Sequence, residues 1–261
     1  MSLLVLDASR SPLGRVNPVA KLAATLVLTV TLLLSIDPVS AGVTLAATLL
    51  LLLFARLPLR ALALRLWPVV LAAAIGGAAT VLYGRASGQV YLEWGLVRVS
   101  DGSLVLAASI VLRVLAIAVP SIVLFATTDP TDLADGMAQL LRLPARFVIG
   151  ALAGLRLVGL LVTDWRELSL ARRARGVADR GRIRRFLGQA FALFVLSIRR
   201  GTKLATAMEA RGFGATGPRT WARPSVVGWR DGVLIAIAAA IAAASVVAAV
   251  LAGTWTLVFA L

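Results

Sequence analysis

The chain has 261 residues, 60% of them hydrophobic, and carries a formal net charge of +15 with no cysteine and no histidine. Its mean hydropathy is +0.93, and several apolar stretches are long enough to cross about 30 Å of hydrocarbon, so we predict an integral membrane protein. The absence of Cys and His excludes disulfides, thiolate nucleophiles, imidazole acid/base catalysis and nearly every zinc or haem site. Retention of Lys and Arg on the cytoplasmic side explains the positive charge, so we expect no nucleic-acid partner.

Apolar segments dominate the first half of the chain and return at its end. A polar stretch, residues 84–102, separates the third segment from the fourth. The pattern predicts an all-α integral membrane protein with about five transmembrane helices, or six if one further run crosses. The five predicted spans are residues 19–36, 39–55, 66–83, 103–126 and 232–251.

Basic residues cluster on one side of these spans. They flank the first span, follow the second and are dense after the fourth, which by the positive-inside rule places the N-terminus in the cytoplasm. Arg113 is an exception, because it lies about ten residues into the fourth span. A charge at this depth is a functional candidate, although we expect Arg113 to reach the outer interface or to pair with Asp101.

Two further apolar runs, residues 147–162 and 186–198, lie within the basic region. If both crossed as a hairpin, the loop between them would place a cluster of arginines outside, against the positive-inside rule. Arg156 also interrupts the first run, at a cost of about 2.5 to 3.5 kcal/mol at mid-membrane. We therefore predict long helices that pack against the inner face of the bilayer or against each other.

Helix signals within the basic region predict three helices. Asp129 can cap a short amphipathic helix with Pro130 at its first position. Longer helices are expected from about residue 144 to 175 and from about 183 to 211, separated by a turn containing glycine. We predict a membrane region over residues 1–126, a cytoplasmic or interfacial region of long crossed helices over 127–230, and a C-terminal transmembrane helix over 231–261.

The tripeptide Ala-Arg-Gly occurs twice, each time at the predicted end of a long helix. The two copies consist of Ala174, Arg175 and Gly176, and of Ala210, Arg211 and Gly212. Arginine in the last turn followed by glycine suits a helix C-terminus by itself. A fixed guanidinium beside a small alanine also suits insertion into an acidic groove of a partner, because Arg can bind a carboxylate with two hydrogen bonds. From the residues alone, capping and docking both remain open.

These features together resemble the transmembrane T component of energy-coupling-factor (ECF) transporters. The family's pattern before the first span is similar to Asn17-Pro18-Val19-Ala20-Lys21-Leu22, with Asn17 in place of the usual acidic residue. Its Thr-Thr-Asp-Pro stretch is similar to residues 127–130, and both Ala-Arg-Gly signatures are present in the expected order. The resemblance covers almost the whole chain.

The resemblance implies a non-catalytic transporter subunit in the cell membrane, with its N-terminus and its coupling domain in the cytoplasm. Two ABC-type ATPases would bind the two signatures, with Arg175 and Arg211 as the principal docking residues. A small membrane S component would carry the vitamin or transition metal. The chain itself would bind no metal and no cofactor, whereas ATP and Mg would be bound by the partner ATPases.

Two other classes of protein fit the composition less well. A membrane enzyme acting on lipid phosphates would need a base or a metal-binding cluster, and the acids of this chain are few and scattered. A self-sufficient carrier would usually show internal repeats or broken helices at mid-membrane, and neither is evident in the sequence.

Overall fold

The computed structural model describes residues 12–35, 37–55, 58–84, 87–94, 97–176, 181–215 and 220–255. After a short 3-10 turn over Pro12–Arg15, the helices are α1 (Pro18–Leu34), α2 (Pro38–Phe54), α3 (Leu59–Tyr83), α4 (Asp101–Ala126), α5 (Pro130–Gln139), α6 (Ala145–Ala174), α7 (Arg182–Ala210) and α8 (Trp229–Leu251). Strands β1 (Val90–Trp94) and β2 (Val97–Ser100) precede α4. The predicted all-α membrane fold is confirmed.

The chain divides into two compact units. One, the membrane unit, combines residues 2–129 with 226–261, and the other, the α5–α7 unit, comprises residues 130–225. In the membrane unit α4 packs against α2 and α3, while α8 packs against α1 and α2. Helices α1 and α8, the first and last helices of this unit, are therefore neighbours, although α2 to α7 lie between them in the sequence.

Small residues bring the helices of the membrane unit close together. Ala24 and Leu28 of α1 form a buried cluster with Ala238 and Ala242 of α8. At Gly77 in α3, a Cβ atom would lie only 2.6 Å from Cγ2 of Val111 in α4. Close helix contacts of this kind replace the hydrophobic driving force that is absent in lipid.

Two elements differ from the sequence prediction. Helix α3 begins at Leu59 rather than at residue 66, because Leu62 is buried against Leu52, Val119 and Val123 and so extends the helix into the basic segment. The predicted polar loop contains an antiparallel hairpin, in which Glu93 pairs with Arg98. Val90, Tyr91 and Trp94 in β1 are residue types that favour strands, but β1 and β2 have only five and four residues and lie in a stretch that its charged residues mark as a loop.

The environment of Arg113 also differs from the prediction. The Asp101 carboxylate accepts hydrogen bonds from the Gln89 backbone amide at 3.1 Å and from the Tyr91 hydroxyl at 2.8 Å. Asp101 and Arg113 are twelve residues apart in one helix, roughly 18 Å along its axis, which exceeds the reach of both side chains. The predicted pairing of Arg113 with Asp101 is therefore wrong.

Within the described residues, four helices are long and apolar enough to cross a membrane. They are α4, α6, α8 and residues 60–83 of α3, whereas α1 and α2 are apolar but have 17 residues each. Seventeen residues is the lower limit for a transmembrane helix. Helix α6 meets the criterion on length and composition. Its placement against the inner face of the bilayer or against α7, without crossing, stays a prediction that rests on the positive-inside rule and on Arg156.

The hairpin provides a pH-dependent test of this fold. The pKa of Tyr91 is raised above its usual value, chiefly because its hydroxyl donates to the Asp101 carboxylate. The hydrogen bond therefore stabilises the fold below the ordinary tyrosine pKa and is lost as the pH rises through the raised value.

We expect absorbance titration of the Tyr83→Phe variant, which leaves Tyr91 as the remaining tyrosine of two, to give a pKa above about 10. Adding Asp101→Asn should return it towards the ordinary value, because the carboxylate charge is removed. An identical titration in both variants would contradict the hydrogen bond.

Candidate docking site at two helix ends

The first Ala-Arg-Gly tripeptide ends α6. Arg175 occupies the C-cap position, and its amide donates to the Ala171 carbonyl at 3.2 Å. Gly176 follows with φ of 67°, in the left-handed region that favours glycine, and its amide donates to the Arg173 carbonyl at 3.0 Å. This bond satisfies one of the carbonyl groups that every helix leaves unpaired at its end.

The second tripeptide ends α7 in the same way. Arg211 is the C-cap residue, and Gly212 has φ of 78°. The Gly212 amide donates to the Glu209 carbonyl at 2.9 Å, and the Phe213 amide donates to the Met208 carbonyl at 2.9 Å. These two bonds form a complete Schellman motif. The capping hypothesis thus accounts for glycine at both helix ends.

The caps do not use the arginine side chains. Every bond described above is made by backbone atoms, and all six residues of the two tripeptides are exposed. Within the described parts of the chain, neither the Arg175 nor the Arg211 guanidinium has a hydrogen bond or an ion pair. Each cap therefore fixes the backbone of an arginine whose guanidinium is exposed and has no partner among the described residues.

Polar contacts join α6 to α7. Asp164 of α6, only 5% exposed, forms an ion pair with Arg200 of α7 at 2.8 Å. The Gln189 side chain donates to the Trp165 carbonyl at 2.6 Å, and the Arg172 guanidinium donates to the Gly188 carbonyl at 2.8 Å. Later residues of α6 contact earlier residues of α7, so the two helices pair in an antiparallel sense.

This pairing keeps the two tripeptides apart. Arg175 follows Arg172 by one helical turn and so lies near the beginning of α7, whereas Arg211 lies at the end of α7. Between Gly188 and Arg211 the helix is roughly 35 Å long, at 1.5 Å per residue. The structure therefore presents two separate arginine positions and does not combine them in one site.

The Asn17–Leu22 stretch lies at a junction of three helices. The Asn17 side-chain oxygen caps α1 by accepting from the Val19 backbone amide at 2.9 Å. The Asn17 backbone amide donates to the Asp231 carboxylate of α8 at 2.7 Å. Lys21 is buried and donates to the Thr127 carbonyl, at the end of α4, at 2.9 Å. These residues hold together the ends of α1, α4 and α8.

Sequence reasoning missed the residues that join the helices. Asp164 and Gln189 lie in or beside apolar runs, where a polar side chain signals a buried contact. Asp231 stands three residues after Gly228, at a position that favours an acid in the first turn of a helix. These signals indicate burial or capping, but they do not identify the partner in another helix.

Known proteins similar to this chain were identified by comparison. The family model described as CbiQ, cobalt transport protein, matches residues 9–221. The energy-coupling factor transporter transmembrane protein EcfT of Limosilactobacillus fermentum is 30% identical over 190 residues, which cover 66% of this chain and 69% of the relative. EcfT of Bacillus selenitireducens is 28% identical over 241 residues, covering 87% and 89% respectively. EcfT of Bacillus subtilis is 30% identical over 156 residues, covering 55% and 59%.

The contact between Asp164 and Arg200 leads to an asymmetric prediction for stability. Arg200→Gln leaves the buried Asp164 carboxylate without its charge partner. Asp164→Asn removes the buried charge, and the asparagine side chain has nearly the same shape as the aspartate. We expect Arg200→Gln to destabilise the α5–α7 unit by about 1–3 kcal/mol and Asp164→Asn to destabilise it less. Thermal unfolding of the detergent-solubilised chain measures both, and a larger loss for Asp164→Asn would contradict the role of the ion pair.

The α7 cap can be tested at Gly212. Gly212→Ala places a Cβ atom on a residue with positive φ, which costs about 1 kcal/mol, and should accelerate exchange of the Gly212 and Phe213 amides about fivefold. Hydrogen exchange with mass spectrometry of the α7 C-terminal peptide measures this change.

Gly201→Ala is the matched control, because Gly201 lies inside α7 with open space around its Cα. This substitution should leave exchange at the cap unchanged. Equal exchange at the cap in Gly212→Ala and in the unsubstituted chain would exclude a cap that depends on glycine.

Proposed function

Because this chain belongs to the family of transmembrane T components of ECF transporters, we propose that it couples two cytoplasmic ABC-type ATPases to a substrate-binding S component. The chain is a transporter subunit and a multi-pass protein of the cell membrane. In this proposal ATP and Mg bind to the partner ATPases, which hydrolyse ATP, and the chain itself performs no bond-breaking chemistry. The transported cargo is a vitamin or a transition metal.

The observation that carries the proposal is the pair of exposed arginines at capped helix ends. A guanidinium can form two parallel hydrogen bonds with a carboxylate, provided that its position is fixed. The left-handed glycines after Arg175 and Arg211 end each helix directly after the arginine. Each helix end therefore fits an acidic groove in a partner.

The separation of the two arginines supports binding to two partners. Roughly 35 Å of α7 lies between Gly188, which Arg172 contacts, and Arg211. An individual acidic pocket cannot receive both side chains across this distance. One signature for each of two ATPase subunits, with Ala174, Arg175 and Gly176 at one and Ala210, Arg211 and Gly212 at the other, agrees with this geometry.

The contacts between α6 and α7 provide a route for transmission. When the ATPases approach or separate, their docking sites would displace the two helix ends. The Asp164–Arg200 ion pair and the Gln189 and Arg172 hydrogen bonds would oppose independent sliding of the helices. Movement at the helix ends would thus shift α6 and α7 together, and the S component would respond to this shift.

Recognition of the cargo would lie in the S component. This chain contains no Cys or His, the side chains that most often select transition metals. A separate capture subunit lets one transport mechanism serve different cargoes, since only the S component must match the cargo.

The docking role can be tested by charge reversal. Arg175→Glu and Arg211→Glu should each weaken association with the ATPases, because a hydrogen-bonded charge pair is lost and a repulsive contact replaces it. Loss of such a pair costs about 1.5–3 kcal/mol, or roughly 10- to 100-fold in affinity. Co-purification of the tagged chain from its host membranes, with quantitative mass spectrometry of the ATPases, measures this effect.

Arg199→Glu is the matched control, because Arg199 is an exposed arginine within α7 rather than at its end. It makes the same change in charge and should retain the ATPases. Unchanged ATPase recovery with both Arg175→Glu and Arg211→Glu would contradict the docking role, as would an equal loss with Arg199→Glu.

A further inference from the structure

The membrane unit contains an apolar cavity between α1, α2, α4 and α8. Its volume is about 530 Å³, within the range of cavities that bind small ligands. Most of its wall is hydrocarbon, including Leu28, Leu52, Val123 and Ile241. The cavity lies beside the helix junction formed by Asn17, Lys21 and Asp231.

The polar side chains inside this cavity are already paired. Thr25 and Thr48 donate to carbonyl groups of their own helices, at 2.9 Å each. Thr127 donates to the Val123 carbonyl at 2.8 Å and accepts from Lys21 at 3.3 Å. A polar solute would therefore lose hydration in the interior, where the hydroxyl donors of these threonines are already used. A hydrocarbon chain has no such cost.

The mouth of the cavity has a different character. A smaller adjoining cavity of about 350 Å³ is lined by Asn17, Gly228 and Asp231 among others. Arg15 and Arg230 line both cavities and are exposed. In the described part of the chain neither has an ion pair, and Arg230 lies over the Trp229 ring at 5.6 Å.

The charge at the mouth favours an anion. Among the described residues, the two cavities are lined by three cations, Arg15, Lys21 and Arg230, and by one carboxylate, Asp231, so these four residues contribute a net charge of +2. The Asp231 carboxylate already accepts the Asn17 amide at 2.7 Å and the Gly228 amide at 2.6 Å. Its charge is thus partly compensated by backbone donors, whereas the two exposed guanidinium groups have free donors.

We propose that this pair of cavities binds one anionic phospholipid of the surrounding bilayer. An acyl chain occupies the apolar cavity, and the phosphate lies at the mouth between Arg15 and Arg230. The acyl chain matches the apolar wall of the cavity, and the phosphate matches the positive charge at its mouth. Guanidinium groups bind phosphate with paired hydrogen bonds, and anionic lipids are concentrated in the cytoplasmic leaflet, which is the side we expect this end of the unit to face.

The bound lipid would stabilise the junction of α1 and α8. Arg15 precedes α1 and Arg230 lies in the first turn of α8, so a phosphate held by both would bridge the two helix beginnings. The same helices are joined by Asp231 and Asn17 and by the alanine-rich cluster below them. The lipid would therefore be a structural ligand of the membrane unit, independent of ATPase docking.

Native mass spectrometry of the full chain, released from nanodiscs containing equal amounts of phosphatidylglycerol and phosphatidylcholine, tests the proposal. We expect a one-to-one adduct with phosphatidylglycerol, at least tenfold more abundant than the adduct with phosphatidylcholine. The double variant Arg15→Gln/Arg230→Gln should lose this preference, whereas Arg15→Lys/Arg230→Lys should keep most of it. Arg98→Gln removes an exposed arginine of the hairpin and should keep all of it.

Thermal unfolding in the two pure lipids provides a second measurement. Phosphatidylglycerol should raise the unfolding temperature of the unsubstituted chain, and the glutamine double variant should not respond. Equal retention of both lipids, an unchanged preference in the glutamine double variant or an equal loss in Arg98→Gln would overturn the proposal. None of these results bears on ATPase recovery with Arg175→Glu and Arg211→Glu, so the two proposals can fail separately.

Discussion

The buried carboxylate of Asp231 connects the beginning of the chain to its end, and the arrangement of the membrane unit depends on this connection. One oxygen accepts the Asn17 amide and the other accepts the Gly228 amide. The bonds satisfy backbone donors at the beginnings of both α1 and α8, which lipid could not satisfy. Lys21, one turn into α1, then reaches the end of α4. Three helix ends are thereby held together, and the helices can pack through small residues that provide little directional force themselves.

Polar side chains have a similar role in the α5–α7 unit, although here they join the middle of two helices. Asp164 and Gln189 are almost fully buried among otherwise exposed helix faces, at 5% and 2% exposure. A buried ion pair contributes little net stability, but loss of one partner is costly. Such contacts therefore favour one particular alignment of α6 and α7. This property suits helices whose ends are proposed to receive movement from two ATPases.

The two proposed binding sites use arginine in different ways. At the ends of α6 and α7 the arginines are about a helix length apart, and each presents its charge alone. At the mouth of the cavity Arg15 and Arg230 come from distant parts of the sequence and line the same space. The first arrangement fits separate protein partners, and the second fits a single phosphate. In these two proposals, part of the net charge of +15 has local uses beyond setting the orientation in the membrane.

The sequence by itself determined the membrane class, the order of the helices and both capped helix ends, because these depend on local properties: hydrophobic length, proline and acid at a helix start, and glycine after its end. It did not determine the early beginning of α3 or the hairpin before α4. The early beginning of α3 and the contacts of Asp164 and Asp231 depend on residues in other helices. The hairpin depends on the pairing of two strands that have only five and four residues. Only the tertiary structure decided them. The same polar side chain can cap its own helix, face solvent or pair with a residue of another helix, and the packing of the helices determines which of these occurs.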